Sequence, residues 1–184
     1  FAGVTFRAGL KSRWWSYLLL NQGTRQKRSQ NIVHEVFANH QLLKIEGQDN
    51  SKVRAPKIEC DIDSLNTASK IKNDFLEDTN KKHFILIHPG MSGHSLNWPL
   101  DNYSNLMNLI EQRFPKKFLF VLSQTPSDRK YVDQVVAALQ KFPEVQFKHY
   151  DGSVHGLKVT IGLIKLSSLF VAPSTGTTHL ANAL

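Results

Sequence analysis

Apolar residues follow two kinds of pattern from residue 83 onward. Mostly apolar runs, which predict strands, occupy residues 83–88, 118–122 and 169–172, and a further short strand is predicted at 145–147. Between them, apolar residues recur every three or four positions, which predicts helices at residues 100–113, 127–141 and 159–166. In the first of these helices the spacing places Leu106, Leu109 and Ile110 on the inner face. Strands and helices that alternate with short links are typical of a parallel, doubly wound α/β sheet.

The pattern is weaker in the first 79 residues. Residues 1–10 are typical of a strand end followed by a glycine-bounded turn, and residues 31–46 have the spacing of an amphipathic helix. Residues 47–79 are mostly polar, with a short helix predicted at 68–79, which indicates a connection between two domains. We therefore divide the chain into residues 1–46, 47–79 and 80–184.

Residues 14–20 are strongly apolar and aromatic, and basic residues precede them. One interpretation is a short element whose side chains pack in a core. The alternative is an interfacial anchor, in which Trp14, Trp15 and Tyr17 rest at the headgroup level of a membrane beside cations.

Composition narrows the class of protein. A hydrophobic fraction of 41% over 184 residues is sufficient for a packed core and argues against disorder. The single cysteine, Cys60, excludes an internal disulfide framework and a cysteine-based zinc site. No apolar run reaches the ~20 residues needed to span a bilayer.

The net charge of +8 is unevenly distributed along the chain. Residues 1–34 contain six basic side chains and no acidic one, namely Arg7, Lys11, Arg13, Arg25, Lys27 and Arg28. Such a block favours an anionic partner: nucleic acid, a membrane surface or a phosphorylated glycan. A solvated basic face without a partner is the simpler alternative.

The last fifteen residues, FVAPSTGTTHLANAL, combine a strand, a turn and the opening of a helix. Pro173 ends the strand because it cannot donate to a β-ladder. The turn from Ser174 to Thr178 supplies hydroxyls and free N–H groups, and a helix is predicted to open at His179. A helix N-terminus attracts anions, so the segment predicts a phosphate or diphosphate site. A hydroxyl-rich helix cap with no ligand is the alternative.

A second loop is predicted at the same edge of the sheet. Gly90, Met91 and Ser92 follow the strand at residues 83–88, and ligands of parallel sheets bind beyond the carboxyl ends of the strands. We therefore expect Ser92 to converge on one phosphate-sized site with Thr175, Gly176 and His179.

Three stretches of the chain resemble glycosyltransferase family nine, the lipopolysaccharide heptosyltransferases. They are the run STGTTHLANAL, the segment containing His88-Pro89-Gly90 and Asn97-Trp98-Pro99, and the stretch from Ala2 to Gly9. The resemblance implies an α/β GT-B-like fold with two Rossmann-like doubly wound parallel sheets, both incomplete in this chain. Residues 1–46 would then end an acceptor-binding domain, 47–79 would join the halves, and 80–184 would bind a nucleotide sugar.

The resemblance also implies a function and its site residues. The family transfers a heptose or related sugar, with inversion, from a nucleotide diphosphate donor, here expected to be ADP-heptose. Residues matched to donor binding are Gly90, Met91, Ser92, Ser174, Thr175, Gly176, Thr177 and His179. Ser174 and Leu96 depart from the family's usual Asp and Lys. Asp128 lies near the family's ribose-binding acid, although its position at a helix start needs no function.

The remaining expectations concern the acceptor and the catalytic base. The resemblance implies an acidic lipid-linked glycan acceptor, for which Arg25, Lys27 and Arg28 are candidate contacts, and peripheral contact with the inner face of the cytoplasmic membrane. No metal, further cofactor or nucleic acid is expected. The family's base would precede Phe1, so we name no catalytic residue and expect a fragment that is inactive alone. The alternatives are a GT-B-type sugar-nucleotide epimerase and a non-catalytic basic domain binding anionic lipid or nucleic acid.

Overall fold

A computed structural model of the chain describes residues 3–27, 30, 35–43, 56–90 and 97–184. The chain divides into two compact units, Phe1–Pro56 and Lys57–Leu184. Residues 57–79 of the predicted connection therefore belong to the second unit.

The first unit contains a small parallel sheet. Strand β1 (Ala8–Leu10) pairs with β2 (Gln22–Thr24), and helix α1 (Trp14–Leu19) connects them. Helix α2 (Glu35–Leu43) confirms the central part of the helix predicted at 31–46, and the ends of that helix lie outside the described residues. A Cβ on Gly23 would lie 2.6 Å from the Gly9 carbonyl oxygen, so the two strands require a glycine there.

Helix α1 does not pack its aromatic residues into a core of the first unit. Only Ser16 is buried among its six residues, and its hydroxyl donates to the Arg13 carbonyl. Trp14 and Leu18 are 72% and 74% exposed, and Trp15, Tyr17 and Leu19 are exposed as well. The core-packing interpretation of residues 14–20 is therefore wrong for the described part of this unit.

The second unit is an α/β sandwich around a four-stranded parallel sheet of order β5-β4-β3-β6. Its strands are β3 (His83–Ile87), β4 (Phe118–Gln124), β5 (Phe147–Asp151) and β6 (Leu169–Val171). Its helices are α3 (Ile62–Glu77), α4 (Leu100–Arg113), α5 (Arg129–Leu139), α6 (Gly152–Leu166) and α7 (Gly176–Asn182).

Alternate residues of the central strands face two separate cores. Ile85, Ile87 and Phe120 pack against residues of α4 and α5, including Tyr103 and Val135. On the other face Phe84, Leu86, Leu119 and Val121 pack against α3 and α6, including Ala68 and Leu163. Because Phe84 to Ile87 are each at most 2% exposed, β3 is buried on both faces, as the continuous apolar run predicted.

Several predicted elements differ from the structure in position or burial. Strand β5 begins at Phe147, so it overlaps the strand predicted at 145–147 by a single residue. The predicted buried strand at 169–172 is an edge strand of the described sheet with Leu169 exposed. Leu109 is also exposed, because α4 turns Tyr103 and Met107 inward instead. Helix α6 begins directly after β5, and α7 begins at Gly176, before the predicted opening at His179.

Candidate functional site

Loops from the carboxyl ends of the strands line a cavity of about 400 Å³ in the second unit that is open to solvent. Two loop residues follow β3, one follows β4 and one follows β6, while α6 adds one residue and α7 adds three. The lining residues are His88, Gly90, Asp128, Leu157, Thr175, Gly176, Thr177 and Leu180. The expectation that loops after β3, β4 and β6 share one edge of the sheet is therefore confirmed.

The β3 loop approaches the start of α5 closely. A Cβ on Gly90 would lie 2.5 Å from Asp128 side-chain atoms, so any other residue would displace that carboxylate. The side-chain amide of Asn97 donates to the Pro89 carbonyl at 3.2 Å and holds the far end of the loop. Trp98 packs edge-to-face on Tyr103, with 5.0 Å between the ring centroids.

Asp128 is held at the entrance of α5 by the preceding turn. Its carboxylate accepts hydrogen bonds from the backbone N–H of Thr125 at 3.3 Å and from the Thr125 hydroxyl. It makes no capping hydrogen bond to α5. The side chain is nearly buried, and its Oδ2 lies 3.7 Å from Nε2 of His88.

His88 joins the ends of three strands. Its backbone N–H donates to the Val171 carbonyl at 2.8 Å, which links β3 to β6. Its Nδ1 lies 3.1 Å from the Ser123 carbonyl oxygen at the end of β4. Burial lowers the pKa of His88, although the Asp128 carboxylate and the Ser123 carbonyl oppose that shift.

The N-cap and first turn of α7 supply uncharged hydrogen-bonding groups to the cavity. Thr175 is the N-cap of α7, but its side chain makes no capping bond and instead lies 2.8 Å from the Thr177 hydroxyl. The Thr178 hydroxyl donates to the Pro173 carbonyl at 2.6 Å and fixes the turn. The N–H groups in the first turn of a helix have no intrahelical acceptor, so those of Gly176 and Thr177 remain for a ligand.

The structure brings together four of the predicted donor-site residues, Gly90, Thr175, Gly176 and Thr177. Ser174 and His179 belong to the same turn and helix but are exposed and do not line the cavity. Met91, Ser92 and Arg28 lie outside the described residues, so the expected convergence of Ser92 on the site stays a prediction. Arg25 and Lys27 are exposed residues of the first unit.

The sequence did not single out His88 and Asp128 as partners. Asp128 has an ordinary explanation as an acid at a helix start, and His88 is named only within the His88-Pro89-Gly90 segment of the family resemblance. Their position in the sequence indicates the site, because both residues follow predicted parallel strands. They therefore lie at the carboxyl edge of the sheet, where Gly90 and Thr175 were expected.

The cavity favours a ligand that combines an anionic group with hydroxyls. Asp128 is the only charged side chain among the eight lining residues, because burial disfavours a charge on His88. Phosphate would therefore be bound by hydroxyl and N–H donors, while Leu157 and Leu180 offer apolar surface.

In the described part of the chain, no group of three or more His, Cys, Asp or Glu side chains is arranged to hold a metal ion. No helix in the same ranges is long and apolar enough to cross a membrane.

A family model described as glycosyltransferase family 9 (heptosyltransferase) matches residues 1–184. The chain belongs to glycosyltransferase family 9. This confirms the resemblance carried by the three sequence stretches, and membership of family 9 argues against the epimerase alternative. No curated protein matches the chain with significance.

Two solved structures resemble the family 9 chain in fold. The glycosyl transferase family 9 structure from Veillonella parvula DSM 2008 has a TM-score of 0.71 and 14% identity, covering 98% of this chain and 49% of that one. The E. coli ADP-heptose lps heptosyltransferase II has a TM-score of 0.63 and 18% identity, covering 99% of this chain and 54% of that one. The chain thus spans about half the length of each. These likenesses confirm the predicted GT-B-like α/β fold with two parallel sheets.

Proposed function

We propose that the second unit binds the nucleotide diphosphate sugar of an inverting glycosyltransferase, and that the donor is ADP-heptose. The observation that carries the proposal is the cavity at the carboxyl edge of the sheet, lined by Gly90 and by the turn from Thr175 to Thr177. Its volume of about 400 Å³ is within the range of small-molecule sites. Membership of family 9 supports the choice of a sugar nucleotide over other phosphorylated ligands.

The donor groups of the turn suit the charge that develops during sugar transfer. As the bond between the sugar and the diphosphate breaks, negative charge accumulates on the leaving phosphate oxygen. The N–H groups of Gly176 and Thr177 and the Thr175 and Thr177 hydroxyls would stabilise that charge. Deprotonation of the acceptor hydroxyl requires a base, and we assign none within this chain.

Gly176 offers a direct test of donor binding. A Cβ on Gly176 would meet no protein atom within 4 Å, so Gly176→Val should leave the fold intact. Because Gly176 lines the cavity, the added side chain should occupy ligand space and weaken ADP binding by at least about tenfold, or ~1.4 kcal/mol. Isothermal titration calorimetry with ADP measures this effect.

A matched variant controls for the addition of a β-branched residue. Asn105→Val introduces the same side chain at an exposed position of α4 and should bind ADP with wild-type affinity. Equal ADP affinity in Gly176→Val, Asn105→Val and the wild-type protein would remove the α7 turn from the donor site.

We further propose that the first unit contacts an acidic lipid-linked glycan acceptor, a lipopolysaccharide core, at the inner face of the cytoplasmic membrane. Exposed Arg25 and Lys27 support this assignment, together with the exposed apolar residues of α1. Lys11 lies over the Tyr17 ring at 5.5 Å and Arg13 over the Trp15 ring at 5.0 Å, so cations flank the aromatic surface. Acceptor kinetics and vesicle binding of variants in these residues test the assignment.

Arg7 belongs to the same basic block but has a different role. Its guanidinium donates to the Leu19 and Val4 carbonyls, each at 2.7 Å, and ties the start of β1 to the end of α1. We therefore leave Arg7 out of the proposed acceptor surface.

A further inference from the structure

Two buried hydrogen bonds connect strand β5 to an interruption in helix α6. The Thr160 hydroxyl donates to the Gly156 carbonyl at 3.1 Å, and its oxygen lies 3.0 Å from the Tyr150 hydroxyl oxygen. Thr160 has a single hydroxyl hydrogen, which the Gly156 carbonyl accepts, so Tyr150 is the donor in the second bond. Tyr150 and Thr160 are only 2% and 8% exposed, so water does not compete for these bonds.

Gly156 divides α6 into two helical segments joined by a kink. Its φ of 80° and ψ of 170° lie outside the helical region. A left-handed φ is accessible to glycine at little cost, and a Cβ built at this position would meet nothing within 4 Å. The kink is therefore held by the backbone and by the hydrogen bond from Thr160, rather than by side chains packed around Gly156.

The two segments of α6 are held by different parts of the structure. Asp151 caps the first segment, because its carboxylate accepts from the Ser153 N–H at 2.9 Å and from the Ser153 hydroxyl at 2.6 Å. The second segment buries Leu163 in the core on one face of the sheet. The His155 ring stacks on the Tyr150 ring, with 5.8 Å between the centroids and 6° between the planes. Tyr150 thus contacts the first segment with its ring and the second segment with its hydroxyl.

The residue after the kink, Leu157, lines the cavity at the carboxyl edge of the sheet. Its side chain is 58% exposed, so burial in the protein does not fix its position. That position depends instead on the backbone at Gly156, which accepts the hydrogen bond from Thr160. Neither Thr160 nor Tyr150 lines the cavity, so each can affect a ligand only through the residues of the kink.

We propose that Thr160 and Tyr150 are positioning residues of the donor site. Their hydrogen bonds hold the kink in α6, and the kink places Leu157 against the part of the ligand that lies beyond its phosphates. This inference rests on the proposed donor function. With the diphosphate at the first turn of α7, the nucleoside is left to contact the apolar side chain of Leu157.

Two substitutions at Thr160 separate its hydroxyl from its bulk. Thr160→Val replaces the hydroxyl by a methyl group of similar size, and Thr160→Ser retains the hydroxyl. Thr67→Val is the matched control, because the Thr67 hydroxyl also donates to the carbonyl four residues earlier, that of Asp63, at 2.9 Å. Thr67 belongs to α3 and does not line the cavity.

The experiment measures the binding of ADP and of inorganic pyrophosphate to the full-length protein by calorimetry. Thr160→Val should weaken ADP binding about fivefold and change pyrophosphate binding by less than about twofold, because only ADP has a nucleoside to contact Leu157. Thr160→Ser and Thr67→Val should bind both probes like the wild type. Thr160→Val leaves the Tyr150 hydroxyl without its acceptor and should lower stability, so affinities are compared at a temperature at which circular dichroism shows each variant folded.

Leu157→Ala tests whether Thr160 acts through Leu157. This substitution should weaken ADP binding by a factor similar to that of Thr160→Val. Combining the two should weaken it little further, because both remove the same contact with the ligand. A double variant in which the two losses multiply would contradict the proposed route from Thr160 to the ligand.

Gly156→Ala tests the kink with both hydroxyls in place, and it decides the question if Thr160→Val does not fold. The methyl group meets no neighbour but disfavours a φ of 80°, so the kink should shift. ADP should then bind roughly fivefold more weakly, with pyrophosphate binding unchanged.

Two results would overturn the positioning role while leaving nucleotide binding in place. One is wild-type affinity for ADP in a folded Thr160→Val variant or in Gly156→Ala. The other is an equal loss of affinity for ADP and for pyrophosphate, which would show a general effect on the cavity. Failure of the wild-type protein to bind ADP would instead overturn the proposed donor function, and the positioning role with it.

Discussion

At the scale of single residues, the second unit contains a buried ion pair at the amino-terminal edge of the sheet. Lys81 Nζ donates to the Phe118 carbonyl at 2.8 Å and lies 3.4 Å from the Glu111 carboxylate. Glu111 also accepts from the backbone N–H of Lys116 at 2.7 Å. Lys116 has a φ of 58°, so this bond holds a left-handed residue in the turn between α4 and β4.

We expect Lys81→Met to destabilise the protein by about 3–5 kcal/mol, because the Glu111 carboxylate would stay buried without its cation. The free energy of unfolding, measured in urea, tests this. Lys57→Met is the matched control, since the Lys57–Glu59 pair is exposed and should leave that free energy unchanged. Adding Glu111→Leu to Lys81→Met should recover part of the loss. A single Lys81→Met variant as stable as the wild-type protein would contradict this account.

The same scale shows which parts of the site could be predicted from sequence. Thr175, Gly176 and Thr177 are neighbours in one segment. That segment carries a local signal of a binding turn, because a proline ends the strand and is followed by hydroxyl residues and a glycine. His88 and Asp128 meet only because β3 and β4 are adjacent in the sheet. Each is ordinary in its own segment, so their pairing required the three-dimensional register.

At the scale of elements, the contact between α3 and α6 depends on a glycine, Gly162, which has no side chain. A Cβ on Gly162 would lie 2.8 Å from Ala68 Cβ and 3.2 Å from the Ser64 carbonyl oxygen. Neither neighbour is the flexible end of a side chain. The two helices therefore approach one another over small residues, on the face of the sheet that buries Phe84 and Leu86.

Gly162→Ala sets two effects against each other. Helix propensity alone would stabilise α6 by about 1 kcal/mol, whereas overpacking against Ala68 costs about 1–3 kcal/mol. We expect the clash to dominate, so the midpoint of urea unfolding should fall. Gly176→Ala, which adds a methyl group to open space, should not lower it. Adding Ala68→Gly to Gly162→Ala should restore part of the loss, and a stabilised Gly162→Ala variant would show that no close contact exists.

The elements that sequence reasoning located well are those buried on both sides. Strands β3 and β4 have continuous apolar runs because helices cover both faces of the sheet. Strand β5 is at the edge of the described sheet and includes Lys148, His149 and Asp151, so its sequence lacks that run. Helix α3 buries only Ser64 and Ala68 fully, and α6 is interrupted at Gly156, whose φ is 80°. Because the apolar periodicity of both helices is weak or interrupted, the sequence predicted only part of each.

At the scale of the whole molecule, the two compact units carry different kinds of surface. The second unit has an uncharged turn and one carboxylate in its cavity, which suits a ligand with hydroxyls and a phosphate. The first unit has no acidic side chain from residue 3 to residue 27, and its exposed residues combine cations with aromatic rings. This division was predictable from charge and composition, whereas the exposure of α1 was not, because an apolar run is equally typical of a core.

We expect the exposed cations and the exposed apolar side chains of the first unit to act on different measurements. Arg25→Gln combined with Lys27→Gln should raise the KM for an acidic acceptor by roughly two- to tenfold, because each exposed charge contributes modestly. The donor KM should not change. The effect should shrink as salt is raised, because exposed charges are screened over about 10 Å at 0.1 M salt.

Trp14→Ser combined with Leu18→Ser should instead reduce binding to vesicles that contain phosphatidylglycerol, since these two side chains are the most exposed of α1. With acceptor dissolved in detergent, this pair should retain wild-type acceptor kinetics, because it removes apolar surface and no charge.

Lys141→Gln combined with Lys165→Gln removes two exposed cations of the second unit and should leave both measurements unchanged. Vesicle sedimentation and acceptor kinetics on the full-length protein distinguish these outcomes, since residues 1–184 alone are expected to be inactive. If the Arg25 and Lys27 variant keeps its acceptor KM at low salt, the acceptor binds elsewhere. If the Trp14 and Leu18 variant sediments with vesicles like the wild type, α1 is covered by protein rather than lipid.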